Sequence, residues 1–178
     1  MKTIREMSTP ELVAFVQSHL CDNRIDVVLS GGACVTIYSE NKYVSMDIDL
    51  VNNHFASRRE IREAMRGLGF EERGRHFIHP DTDLFVEFPA GPLSVGEEPV
   101  KEVREIRLDT GLLRIISPTD CVKDRLAAYY YWNDAQGLEQ AVLVANSVDI
   151  DPDEVGRWSE VEGKEREFSE IRHRFIRS

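Results

Sequence analysis

Two aspartates lie two positions apart within a short apolar segment. Asp47 and Asp49 alternate with Met46, Ile48 and Leu50, a pattern typical of a β-strand. Because alternate side chains of a strand share one face, we expect both carboxylates to point the same way. Neighbouring carboxylates repel each other unless a cation lies between them, and Mg²⁺ prefers such oxygen ligands. The spacing therefore predicts a divalent metal site.

A pair of glycines precedes the aspartates in the sequence. Gly31 and Gly32 lie between the predicted strand 25–29 and a predicted helix over 33–38. Glycine lets a phosphate approach the backbone, and the start of a helix offers free N–H groups and a positive dipole end. Either pattern alone is usually structural. Their order and spacing together are typical of phosphoryl or nucleotidyl transfer, which needs a phosphate cradle beside metal carboxylates.

The combined pattern resembles the signature of the DNA polymerase beta-like nucleotidyltransferase superfamily. More narrowly, Leu29–Ala33, Tyr38 and Ser45–Leu50 are similar to the minimal nucleotidyltransferases of the AbiEii toxin-like group. Ala33 follows the glycines directly, whereas that group has one residue between them. The resemblance covers about residues 25–145. It implies transfer of NMP from ATP or another NTP, two Mg²⁺ ions, and a toxin with an antitoxin-like partner in a toxin–antitoxin or phage-defence pair.

The resemblance also implies roles for individual residues. Asp47 and Asp49 would be catalytic and would hold the metal ions. The nucleotide-binding residues it implies are Ser30, Gly31, Gly32, Ser45 and Lys123.

The superfamily carries a third carboxylate on a later strand. Glu87, between Val86 and Phe88, fits this position best, so we predict Glu87 as the third catalytic and metal-binding residue. It would act on the attacking hydroxyl, through the second metal or as a general base. Asp83 has the same strand parity and stays the alternative, although it lies nearer to a turn.

Lys123 belongs to a helical segment that the resemblance covers only weakly. If the helices around Lys123 and Asp134 were continuous, the two side chains would lie on nearly one face, since eleven positions make close to three turns. The competing interpretation is an exposed helix lysine beside Asp124. The aromatic run 129–132 could stack a base, but a division between core and surface is favoured.

The elements that must position these residues predict an α+β protein. Ser57 and Glu60 have the spacing of a capping box, and Pro10 is typical of a first helical turn. In chain order we predict a helix from Pro10, strands over 25–29 and 46–51 separated by a helix over 33–38, a helix from Ser57 through Met65, hairpins over 76–88 and 103–116 with a loop over 89–99 between them, and helices from residue 117 to the end near Arg177.

The predicted fold is a mixed, mostly antiparallel nucleotidyltransferase sheet flanked by helices, followed by a helical extension. We place the α/β core at residues 1–116 and the C-terminal extension at 117–178. The C-terminal helix would carry a Glu170–Arg174 pair on a solvated face.

The composition of the chain excludes some classes of binding partner. The 178 residues carry a net charge of −10, which argues against non-specific binding to DNA. No apolar run approaches the roughly 18–20 residues that cross a membrane. The three cysteines form no CxxC pair, so we expect reduced thiols in a cytoplasmic protein. The resemblance to the superfamily implies an acceptor that is an RNA end, a protein or a small molecule such as an aminoglycoside. The alternative is a non-catalytic nucleotide-binding or protein-interaction module.

Overall fold

The computed structural model describes residues 2–53 and 55–176. Its strands are β1 (Val27–Ser30), β2 (Asp47–Asn52), β3 (Glu71–Arg73), β4 (His76–His79), β5 (Thr82–Glu87), β6 (Ser94–Val95), β7 (Glu98–Pro99), β8 (Val103–Leu108) and β9 (Gly111–Ile116). Its α-helices are α1 (Thr9–Asp22), α2 (Gly32–Tyr38), α3 (Arg58–Gly67), α4 (Pro118–Trp132), α5 (Ala135–Ser147), α6 (Pro152–Val161) and α7 (Glu165–Ile171). Short 3₁₀ helices cover Ile4–Glu6 and Arg172–Phe175.

Seven strands form one mixed sheet in the order β3-β4-β5-β2-β1-β9-β8. Strand β1 runs parallel to β9, and β2 runs parallel to β5. The other neighbours in this sheet are antiparallel. The predicted α+β class with a mostly antiparallel sheet is therefore confirmed.

The register of the central strands decides which side chains meet. Asp49 of β2 lies opposite Ser30 of β1 on one side and opposite Glu87 of β5 on the other. Asp47 lies opposite Phe85. Since directly paired residues present their side chains to the same face, the sheet brings the acidic side chains of β2 and β5 together.

The helices begin where the sequence indicates a cap. The Ser57 N–H donates to Glu60 Oε2 at 2.7 Å, and Ser57 Oγ accepts from the Glu60 N–H, so the predicted capping box is confirmed. Helix α1 begins at Thr9, with Ser8 and Glu11 forming a second box. Such caps satisfy N–H groups that the first helical turn leaves free.

A continuous hydrophobic core joins the sheet to the helices on both sides of residue 116. It includes Leu12 of α1, Leu29 of β1, Leu126 of α4 and Trp158 of α6, all fully buried. The division at residue 116 separates the sheet from the helices, but as a domain boundary it stays a prediction. No helix in the described ranges is both long and apolar enough to span a membrane.

The continuous helix considered for residues 123–134 does not form. Helix α4 ends at Trp132, and the residue that follows, Asn133, has a left-handed φ of 51°. The Asp134 carboxylate caps α5 by accepting from the Gln136 N–H at 3.0 Å. A left-handed residue ends a helix because it turns the backbone away from the helical path. The proposed alignment of Lys123 with Asp134 on one helix face is therefore wrong.

The remaining differences concern smaller elements and one ion pair. Strand β3 was not predicted, and the predicted loop over 89–99 contains the β6–β7 pair. The last helix ends at Ile171, and Arg177 lies outside the described residues. Arg174 pairs with Glu139 at 2.9 Å, whereas Glu170 pairs with Arg166. Helix α7 stops before residue 174, so the helical spacing that would join Glu170 to Arg174 is lost.

Trp158 is the largest fully buried side chain, and its loss should destabilise the fold. Its ring stacks on Tyr130 at 5.9 Å, and its Nε1 donates to the Val95 carbonyl at 3.2 Å. We expect Trp158→Ala to lower the free energy of unfolding by about 3–5 kcal/mol, because it leaves a large cavity. Urea denaturation measures the change. Trp132 is 82% exposed, so Trp132→Ala should change stability by less than about 0.5 kcal/mol. Equal losses in the two variants would contradict this description of the core.

Candidate active site

The acidic residues predicted from the sequence lie at the centre of the sheet. Asp47 and Asp49 are half-buried and alternate with the buried Ile48 and Leu50, so both aspartates leave the core on the same face. Glu87, at the end of β5, lies directly beside Asp49. The structure therefore gathers the three carboxylates through strand parity and the parallel pairing of β2 with β5.

Asp83 lies apart from this cluster. It shares the parity of Glu87 but stands near the start of β5, where it is exposed. Asp47 is already paired with Phe85, so Asp83 lies beyond the last residue of β2 that pairs with β5. The geometry favours Glu87 as the third carboxylate.

A histidine joins two of the carboxylates. Asp47, His76 and Glu87 each offer one ligand atom, and the three atoms lie within 4.8 Å of one another. His76 Nε2 is 3.5 Å from Glu87 Oε2. Asp47 Oδ1 is buried and has no hydrogen-bond partner among the described residues. A buried carboxylate oxygen without a partner is costly, and a cation would satisfy it.

Asp49 faces the glycine turn rather than His76. A Cβ atom at position 31 would collide with Asp49 Oδ2, so a glycine is needed for this close approach. Gly31 also has a φ of 71°, which side-chain-bearing residues rarely adopt. The turn and the carboxylate are thus in direct contact.

Electrostatics distinguish Asp49 from its neighbours. Burial, together with the nearby negative charges of Glu87 and Asp47, raises the pKa of the Asp49 carboxyl to about 6. Arg125 of α4 opposes this rise in the pKa. Desolvation and like charge both disfavour the ionised form of Asp49, so a nearby positive charge would stabilise it.

Ser45 holds the start of β2 against the second glycine. Its Oγ donates to the Asp47 carbonyl at 3.1 Å and accepts from the Asp47 N–H at 3.2 Å. A Cβ atom on Gly32 would lie 2.9 Å from this oxygen. Ser45 therefore positions Asp47 next to the glycine turn and is itself buried.

Ser30 borders a cavity of about 180 Å³ next to the cluster. Asp124 of α4 and apolar residues of the segment 89–100, among them Leu93 and Val95, form part of its lining. Ser30 pairs with Asp49 in the sheet, so the cavity and the acidic face adjoin at the end of β1.

Lys123 is engaged elsewhere. Its Nζ donates to Glu154 at 2.8 Å and to Asp120 at 3.3 Å, and its side chain is 4% exposed. A phosphate contact would require these buried ion pairs to break, at considerable cost. These contacts do not support a role in binding nucleotide, and also rule out the exposed helix lysine considered as the alternative.

The aromatic run divides between core and surface, which confirms the favoured interpretation. Tyr129 and Tyr130 pack against the core, whereas Tyr131 and Trp132 are exposed.

Sequence reasoning did not find His76. Strands β4 and β5 pair His79 with Thr82 next to the turn, but a bulge shifts the register so that His76 lies opposite Glu87. Without the shift, His76 would lie opposite Phe85. A bulge of this kind leaves no clear local signal in the sequence.

The residues present fit a divalent cation. The donors are carboxylate oxygens and one imidazole nitrogen, which are ordinary ligands of such ions. The orphaned Asp47 Oδ1 gives an independent reason, since nothing else among the described residues satisfies it.

The sequence has no significant match to any family model or curated protein. The structure is similar to the solution structure of the antibiotic-resistance factor ANT(2'')-Ia, with a TM-score of 0.52 and 15% identity, over 91% of this chain and 95% of that chain. A crystal structure of ANT(2'')-Ia in complex with adenylyl-2''-tobramycin has a TM-score of 0.49 and 14% identity, over 87% and 93% of the two chains. This chain therefore shares the overall fold of ANT(2'')-Ia.

Proposed function

We propose that this chain is a divalent-metal-dependent nucleotidyltransferase that transfers NMP from an NTP to the hydroxyl or other nucleophile of an acceptor. The observation that carries the proposal is the convergence of Asp47, Asp49 and Glu87 beside the Gly31-Gly32 turn. The fold shared with ANT(2'')-Ia supports it.

Asp47, Asp49 and Glu87 would hold the metal ions, for which Mg²⁺ is the first candidate. A bound divalent cation stabilises charge on phosphoryl oxygens and on the attacking oxygen. The carboxylates fix the place where this charge is compensated, and Glu87 is the candidate to accept the proton of the acceptor. Its Oε2 is also 3.5 Å from Arg75 Nε.

The glycine turn would receive the triphosphate. Gly31 and Gly32 leave the backbone open next to Asp49 and Ser45, so phosphate oxygens can approach both the backbone and the metal ligands. Ser30, at the end of β1, is the remaining candidate for a phosphate contact. The acceptor oxygen would attack the α-phosphorus, and pyrophosphate would leave.

The net charge of the chain favours some classes of acceptor over others. A chain with a net charge of −10 attracts cationic small molecules and repels long nucleic acids. The neighbour ANT(2'')-Ia acts in antibiotic resistance, so aminoglycosides head the list of acceptors to test. RNA ends and proteins follow. A role as the toxin of a toxin–antitoxin or phage-defence pair is supported by the sequence pattern alone.

Transfer assays with single substitutions test the proposal. With α-labelled NTPs, Mg²⁺ or Mn²⁺, and a panel of aminoglycosides, RNAs and cell extract, we expect labelled product from the wild type. Asp47→Asn and Glu87→Gln should each reduce the rate at least about a hundredfold, because each removes charge stabilisation at the reacting phosphate.

Asp83→Asn provides the matched control, since it removes an exposed carboxylate of the same strand face. It should leave the rate within about twofold of wild type. Labelling that survives Asp47→Asn would overturn the proposal. Metal-dependent NTP binding without transfer to any acceptor would favour the non-catalytic nucleotide-binding alternative.

The raised pKa of Asp49 predicts a pH-dependent penalty in the metal-free protein. Its pKa moves from 3.8 to about 6 on folding, so the folded state binds the proton more tightly. The penalty is absent below pH 3.8, grows as the pH rises towards 6, and is complete above 6. In EDTA, we expect Asp49→Asn to be more stable than wild type by on the order of 2–3 kcal/mol at pH 7.5, and by clearly less at pH 4.5.

Urea denaturation of both proteins at the two pH values measures this difference. Ser147→Ala, which changes a polar group far along the chain on α5, gives the control for a pH-independent offset. A stability difference between Asp49→Asn and wild type that stays constant with pH would contradict the assigned environment of Asp49.

A further inference from the structure

His76 stands in the acidic cluster, although nothing in the sequence pattern gave it a role. Its strand, β4, is paired antiparallel to β5 and lies two strands away from β2. The register shift in β4 aligns His76 with Glu87, which itself aligns with Asp49. The histidine thus faces the acidic residues across adjoining strands.

The distances fit a shared ion. The ligand atoms of Asp47, His76 and Glu87 lie within 4.8 Å of one another. An ion with bonds of about 2.0–2.2 Å separates ligands on opposite sides by roughly twice that length, so small side-chain rotations suffice. The His76 ring is held by an edge contact with Phe85, with centroids 4.7 Å apart.

Arg75 is the group that now faces the histidine. Its Nε donates to His76 Nε2 at 3.2 Å and lies 3.5 Å from Glu87 Oε2. The Arg75 side chain is 74% exposed, so this contact is cheap to exchange. Because His76 Nε2 accepts this hydrogen bond, its lone pair points to the place beside Glu87 that the positively charged Arg75 side chain occupies.

We infer that His76 is a nitrogen ligand that shares one divalent cation with Asp47 and Glu87, and that it makes the site prefer a transition-metal ion over Mg²⁺. The chemical reason is the donor type. Imidazole binds transition metals well, whereas Mg²⁺ prefers a shell made only of oxygen. This inference rests on the proposed function, because it assigns a ligand and a preferred metal to the same site.

Metal binding, measured apart from catalysis, tests the inference. The probes are Mn²⁺, whose free ion is counted by EPR, and Mg²⁺, measured by competition, with the full chain at pH 7.5 and with or without a non-hydrolysable NTP. Pulsed EPR then detects coupling of bound Mn²⁺ to a ¹⁴N nucleus. For the wild type we expect Mn²⁺ to bind at least about tenfold more tightly than Mg²⁺ and to show the nitrogen coupling.

Two substitutions and a control give the comparison. His76→Gln should abolish the nitrogen coupling and weaken Mn²⁺ binding roughly tenfold or more, while Mg²⁺ binding changes little. His76→Asp replaces the nitrogen ligand with a carboxylate oxygen and should shift the metal preference towards Mg²⁺. His173→Gln removes an exposed histidine far along the chain and should change none of these quantities. Circular dichroism establishes that each variant is folded.

The outcomes separate this inference from the proposed function. If both metals bind to the wild type and bind more weakly to Asp47→Asn, the proposed function stands. If, in that case, the nitrogen coupling is absent in the wild type or persists in His76→Gln, the role of His76 is overturned. If Mn²⁺ and Mg²⁺ both fail to bind even with NTP present, both proposals fail. Loss of the coupling in His76→Gln together with the metal shift supports the inference.

Discussion

Repulsion between carboxylates at the centre of the sheet is the constraint on which the site depends. The parallel pairing of β2 with β5 aligns Asp49 with Glu87, and strand parity adds Asp47 to the same face. Like charges in a half-buried setting raise the free energy of the folded state. The described residues compensate only in part, since Arg125 acts on Asp49 while Asp47 Oδ1 has no partner. Proteins tolerate such a local cost where function requires it.

Residues next to the carboxylates fix the geometry of this repulsion. Gly31 lets the backbone lie against the Asp49 carboxylate, and Ser45 holds both the carbonyl and the N–H of Asp47. Thr36 Oγ1 accepts from the Ser45 N–H at 2.9 Å, which ties the start of β2 to helix α2. Hydrogen bonds therefore hold the backbone of the acidic face in place, and charges positioned in advance would lower the cost of reorganisation in the proposed transfer.

The sequence predicts a residue of this site well only where neighbouring residues in the sequence determine its position. The Asp47–Asp49 parity and the glycine turn follow from short-range rules, and they agree with the structure. The preference for Glu87 over Asp83 came from the resemblance and from the nearness of Asp83 to a turn. The pairing of β2 with β5, which the local residues do not indicate, supports it. His76 depends on a bulge, and Lys123 meets Glu154, which lies 31 positions away. The register between neighbouring strands and the packing of residues far apart in the sequence cannot be read from the local pattern.

The helices after residue 116 act on the acidic face through α4. Lys123 turns towards α6 and is held there by Glu154, whereas Arg125 acts on Asp49 and is held by Asp124 at 2.5 Å. Positions two apart on a helix point in different directions, so α4 can contact α6 with one side chain and act on the site with another. Gln140 of α5 accepts from Arg125 Nη1 at 3.4 Å and adds a second support. These contacts position the positive charge of Arg125, which opposes the rise in the pKa of Asp49. The helical part of the chain therefore contributes to the electrostatics of the site, although the three carboxylates all lie on strands.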